Sequence, residues 1–178
     1  MIAAIATWGS TPEERALTFA CDARCAADGE SLFRAVTVRA PPPIVFRWLC
    51  QLRAAPYSYD WVDNFGRTSP RELCPGLEAL ERGQRVMRIF ELVDFGRDSQ
   101  LTLELRRDNA LFGRLAITYL VLPRASGESR LVVKVRELVH ARGLLARIKW
   151  KLLAAGDLVM MRKQLLTLKA LAEATGAG

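Results

Sequence analysis

The sequence predicts an α+β domain in which a strongly curved antiparallel sheet packs one face against a long C-terminal helix. Three observations carry this. Four stretches between residues 86 and 139 alternate apolar and polar residues or run apolar, and short turn-forming sequences separate them. From Arg142 the apolar residues recur at steps of three and four, the spacing of a helix. At 178 residues, with 51% hydrophobic residues, 12 Gly and 8 Pro, the chain has the size of one domain that buries its own core without disulfides.

The elements follow in order. Residues 1–32 show no sustained period, but Ser10-Thr11-Pro12-Glu13-Glu14 offers an N-cap, a proline in the first turn and acids at the positive dipole end, which predicts a helix from Pro12 to about Thr18. Asp28-Gly29-Glu30 is a turn, and Phe33–Arg39 alternates as a first strand. Pro41-Pro42-Pro43 ends that strand and opens a helix whose apolar residues Ile44, Phe46, Trp48, Leu49 and Leu52 carry it to about Arg53. Residues 56–76 are irregular and aromatic and read as a structured loop.

Strands are then predicted at Val86–Val93, Leu101–Arg106, Leu115–Leu122 and Leu131–Val139, joined as an antiparallel meander. In the helical region Gly156 reads as a break and Asp157 as the N-cap of the final helix. Leu158, Met161, Leu165, Leu168 and Ala172 share the side of that helix to be buried, and Thr175 to Gly178 are expected to fray.

Charge and cysteines narrow the classes. The formal charge is +7, with the basic excess in the C-terminal part and an acidic balance in residues 1–32. No phosphate-binding glycine loop, recognition motif or aromatic stacking platform accompanies the basic residues, so no specific nucleic-acid partner is expected. Cys21, Cys25, Cys50 and Cys74 have neither zinc-ligand spacing nor a set of histidines beside them, since His140 is the single histidine. They read as free thiols, with no metal and no cofactor implied. No secretory signal and no apolar run of about eighteen residues is present, which reads as a cytoplasmic chain.

The strand ending in APPPIVFRWLCQLR, the loop APYSYDWVDNFGR, the block GQRVMRIFELVDF and the terminal GDLVMMRKQLLTLKALAE resemble the SRPBCC superfamily, which includes START, Bet v 1-like and polyketide cyclase branches. The resemblance spans residues 33–174. It implies a helix-grip fold, a sheet wrapped around the C-terminal helix with an internal cavity that takes lipids, polyketides or other apolar molecules, and it implies no single reaction. On this division residues 1–32 are an extension packed on the domain and residues 175–178 a frayed tail.

Candidate site residues follow from facing and composition. Glu137 shares a strand face with Leu131, Val133, Val135 and Val139, and a carboxylate among apolar side chains can serve as acid or base; its alternative is a charge at the sheet end that reaches water or an arginine. On Val86–Val93 either face can point inward. One presents Arg88 and Phe90, with Arg88 able to hold a carboxylate, and the other presents Glu91. Tyr57, Tyr59, Asp60, Trp61, Asn64 and Arg67 form a polar-aromatic cluster suited to a pocket mouth, or to stapling the loop onto the sheet. Met161 and Leu165 are expected to wall the cavity from the helix.

Three functions fit. The first is enclosure of a hydrophobic or amphipathic small molecule. The second is cyclase- or dehydratase-type chemistry with Glu137 as base. The third is lipid transfer through weak contact of the basic, Trp-bearing segment LLARIKWKLL with an anionic membrane. The chain is expected to be a monomer or a homodimer.

Overall fold

The computed structural model describes residues 5–24, 30–63, 66–106, 114–137 and 144–176. The helix α1 (Pro12–Arg15) starts at a capping box. The Thr11 hydroxyl accepts from the Glu14 amide, and the Glu14 carboxylate accepts from the Thr11 amide. A 3-10 turn follows at Ala20–Arg24. β1 (Ser31–Val38) leads through the prolines into α2 (Pro42–Cys50), which tightens into a 3-10 turn at Gln51–Arg53. α3 (Asp60–Asp63) is a single turn within the irregular segment. Then come β2 (Arg85–Val86), β3 (Phe90–Gly96), β4 (Gln100–Leu105), β5 (Leu115–Pro123), β6 (Ser129–Glu137) and α4 (Leu144–Gly176).

The six strands form one antiparallel sheet in the order β1-β6-β5-β4-β3-β2, so the first strand closes against the last. A bulge shifts the β3–β4 register between Leu92 and Asp94, and such an extra residue bends its strand and adds to the curvature of the sheet. α4 packs along the inner face, where Trp150, Ala154, Met161, Leu165, Leu168 and Ala172 join the apolar side chains of all the longer strands in one core.

Three expectations change here. The predicted strand Val86–Val93 is two strands joined by a reversal, because Met87 and Arg88 take left-handed φ values of 45° and 64°. Three turn residues leave Val86 paired with Phe90, so the alternation keeps its parity through the turn and hides it. Tertiary contacts fix this tip: the Met87 amide donates to Leu52 O at 3.0 Å.

α4 also runs unbroken through Gly156, and Asp157 is an interior residue, not an N-cap. A helical glycine costs about 1 kcal/mol, which the buried stripe on either side outweighs, and the Asp157 carboxylate finds a side-chain partner on the sheet. At the far end Thr175 and Gly176 stay helical instead of fraying, since Trp48 Nε1 donates to Thr175 Oγ1 at 3.0 Å.

The third change concerns the outer face of β6, where the charges of Lys134 and Arg136 by themselves suit solvent. The segment from Glu14 to Asp22 covers part of it. Phe19 and Cys21 bury against Phe33, Ala35, Ala116 and Val132. Lys134 lies over the rings of Phe19 and Phe33 and pairs with Asp22 at 2.6 Å, while Arg136 reaches the same carboxylate at 3.0 Å. Arg130 pairs with Glu14 at 2.6 Å. Lys134 and Arg136 are therefore buried, not exposed.

Candidate functional site: a polar cluster between sheet and helix

The middle of the sheet's inner face is apolar except where Arg34 and Tyr119 interrupt it, while Ser129 and Glu137 share that face at the two ends of β6. β1 turns Leu32, Arg34, Val36 and Val38 inward by strand alternation, and β5 does the same with Ile117, Tyr119 and Val121. Opposite them, α4 presents Asp157, Met161 and Gln164 on successive turns of one side. Arg34 and Tyr119 are fully buried, and Gln164 nearly so.

The four polar groups form two couples. Arg34 Nη2 lies 2.8 Å from Asp157 Oδ2 and 3.3 Å from Ala154 O, and Nη1 donates to Phe33 O at 2.8 Å. Arg34 Nε and Asp157 Oδ2 are buried without an aligned hydrogen-bond partner. The Tyr119 hydroxyl donates to Gln164 Oε1 at 2.7 Å, and Gln164 Nε2 donates to Pro56 O at 2.7 Å, which ties α4 to the start of the irregular loop.

Burial dominates the electrostatics of this cluster. It pushes the Asp157 carboxyl up to about 6 against the pull of Arg34. It also lowers the Arg34 guanidinium, with Asp157 opposing. Tyr119 is raised by burial and by the charge of Asp157, with Gln164 offsetting part of the effect. Such groups hold hydrogen-bonding capacity in apolar surroundings, which is what orients a bound molecule.

The residues expected from the sequence distribute differently. Met161 and Leu165 are buried on the inner side of α4, and Met161 Sδ lies 3.9 Å from the Tyr119 hydroxyl. Phe90 and Leu92, and past the bulge Phe95, are inward side chains of β3. Glu91 faces outward beside Arg106, at 3.9 Å, with both side chains partly exposed. Arg88 stands exposed at the tip of the β2–β3 hairpin and lines neither face. Glu137 is half-buried at the end of β6 opposite Leu115, about 13 Å along the strand from the register position of Arg34.

The loop cluster reads as a staple in part. Tyr57 is buried edge-to-face against Trp48, with its hydroxyl unpartnered and its ionisation pushed up to about 12 by burial. The Asp60 carboxylate accepts from the amide and hydroxyl of Ser69, closing the loop on itself. Tyr59 is half-buried, Trp61 is 77% exposed and Arg67 is exposed. Asn64, Cys25 and His140 lie outside the described residues. Cys21, Cys50 and Cys74 are free thiols.

Sequence reasoning missed Arg34, Tyr119, Asp157 and Gln164. Arg34 carried a signal of the kind that singled out Glu137, a charge within an apolar alternation. Asp157 was readable too, since it falls in the stripe of Ala154, Met161 and Leu165 once the helix is continuous.

Comparison with known proteins bears on this arrangement. No family model matches the chain, and no curated protein is similar to it in sequence. Solved structures are similar. The di-domain ARO/CYC protein StfQ of the steffimycin biosynthetic pathway superposes with a TM-score of 0.55 at 11% identity, over 83% of this chain and 52% of that one. CalC, a self-sacrificing resistance protein from Micromonospora echinospora, gives 0.52 at 16% identity over 83% and 96% of the two chains. A protein from Thermobifida fusca gives 0.51 at 17% identity over 83% and 93%. At these identities the likeness is one of fold. The resemblance read from the sequence holds at that level: the chain has a helix-grip fold, an antiparallel sheet packed on a long C-terminal helix.

Proposed function

We propose that the chain encloses a hydrophobic or amphipathic small molecule between the inner face of the sheet and α4. Apolar burial, worth about 25 cal/mol per Å², supplies the affinity, and the Arg34–Asp157 and Tyr119–Gln164 couples set the orientation. One observation carries this reading: a buried ion pair that keeps unused hydrogen-bonding atoms within an otherwise apolar helix–sheet interior. The fold gives it support, since StfQ belongs to a biosynthetic pathway and CalC confers resistance. Purified protein examined by native mass spectrometry is expected to carry a co-purified small molecule released on denaturation, and to take up Nile red saturably. A mass equal to the bare chain together with no saturable uptake overturns the proposal. If chemistry accompanies binding, Asp157 replaces Glu137 as the carboxylate, because it stands in the buried cluster and holds its proton close to neutrality.

A second reading, docking on an anionic membrane surface, is favoured by the solvent side of α4. Ile148, Leu152, Val159 and Leu166 are exposed apolar residues at steps of four and seven, and exposed Lys151, Arg162 and Lys163 flank them. Asp157, the only carboxylate between residues 144 and 172, is turned to Arg34. No helix among the described residues is long and apolar enough to cross a membrane. Co-sedimentation with vesicles containing anionic lipid is expected to occur and to weaken with salt; its absence at low salt removes this reading.

A further inference from the structure

We infer that the polar end of the interior site takes a neutral hydroxyl group, so that the bound molecule is an alcohol or phenol and not a carboxylic acid. The inference rests on the binding reading above and adds the chemistry of the ligand's polar group.

The argument starts from what Arg34 and Asp157 leave undone. Of the three guanidinium nitrogens, Nη1 donates to Phe33 O and Nη2 to Ala154 O, whereas Nε is a buried donor with no acceptor. On the facing carboxylate, Oδ2 is a buried acceptor whose 2.8 Å ion-pair contact with Nη2 is not aligned as a hydrogen bond, which leaves it room to accept one. A donor and an acceptor thus stand open within one ion pair. A hydroxyl answers both at once, its oxygen accepting from Nε and its proton going to Oδ2. A carboxylate only accepts and an ammonium only donates, so each leaves one of the two orphans unmet.

Charge points the same way. Arg34 and Asp157 neutralise each other, and the other polar couple at this level, Tyr119 with Gln164, carries no charge. A ligand carboxylate would therefore enter a balanced interior as an unpaired ion facing Asp157, and a buried unpaired ion is strongly disfavoured. Gln164 offers no relief, because its amide donors are engaged with Pro56 O and Met87 Sδ and its oxygen accepts from Tyr119. An ordered water can make the same two bonds, and the ligand hydroxyl replaces it without loss.

The test uses the full chain loaded with Nile red and a matched pair of competitors, 1-decanol and decanoate, at neutral pH. The alcohol is expected to displace the probe with an affinity roughly tenfold or more above that of the acid. Asp157→Asn, which removes the negative partner and leaves Arg34 uncompensated, is expected to reverse the order in favour of decanoate. Thermal melting checks that this variant folds; if it does not, the wild-type pair of competitors alone decides. Equal affinities or a preference for decanoate in the wild type, with Nile red still bound, overturn the hydroxyl assignment and leave the binding reading standing. Failure to take up Nile red at all overturns both.

Discussion

The two faces of the sheet bury the same residue type by opposite means. On the outer face Lys134 and Arg136 share the Asp22 carboxylate, Arg130 is held by Glu14 and Gly9 O, and Thr102 and Thr118 bond each other, with the Cys21 amide donating to Thr118 Oγ1. Cations outnumber acids there, but each has a close partner and a path to water. On the inner face Arg34, fully buried, meets Asp157, whose side chain keeps 15% of its surface exposed, and both keep an unmet hydrogen-bonding atom. The outer arrangement is a fastening. The inner one retains capacity for something further, and that contrast places the functional reading inside.

The largest expected effect breaks the inner pair. Arg34→Ala strands Asp157 and is expected to cost about 3–5 kcal/mol in denaturant unfolding. Asp22→Ala on the outer face, where Lys134 and Arg136 can partly rehydrate, is expected to cost about 1–3 kcal/mol. Replacing Arg34 and Asp157 together by leucine restores most of the loss, since a buried pair is weak evidence for stability. It is also expected to abolish any preference among ligand polar groups. Equal costs for Arg34→Ala and Asp22→Ala would erase the distinction between the faces.

A smaller effect sharpens it through pH. Asp157 titrates near 6 in the folded state, above its unfolded value, so its contribution to stability grows as pH falls through that range and is absent at higher pH. Asp22 and Glu14 behave oppositely. Burial alone would raise them, but the hydrogen bonds and charges of Lys134, the Phe19 amide and Arg136 on one, and of Arg130 on the other, hold both below the ordinary range. Their contribution is present at neutral pH and is lost only when pH falls below the normal carboxylate range. Each tenfold change in proton affinity is worth about 1.4 kcal/mol. Unfolding free energy is thus expected to rise from about pH 7 to about pH 4 and to fall below that. Asp157→Asn should flatten the rise, and Asp22→Asn should soften the fall. A wild type that loses stability steadily from neutrality downward contradicts this.

Much of the architecture could be read from the chain because it rests on local periodicities. The four-strand region, the proline-led helix and the apolar stripe of Met161, Leu165, Leu168 and Ala172 are all set by neighbours in sequence. What escaped was decided at a distance. The hairpin at Met87–Ile89 preserves strand parity, so only its contact with Leu52 reveals it. The outer face of β6 looks solvent-like in sequence because Lys134 and Arg136 are charged, and their acid lies far away at Asp22. The candidate site suffered most, since Asp157 beside Gly156 imitates a helix start until Arg34, more than a hundred residues earlier, is placed opposite it.

One last feature concerns the rim of the sheet. Along β1, Ala35 N is taken by Trp8 O, Phe33 O by Arg34 and Thr37 O by Lys169, while β2 at the opposite rim is only two residues long. Unclaimed backbone on a border strand is the usual template for polymerisation. Here side chains and a length of leader close one border and brevity closes the other, so concentrated solutions of this protein should not grow by strand-on-strand accretion.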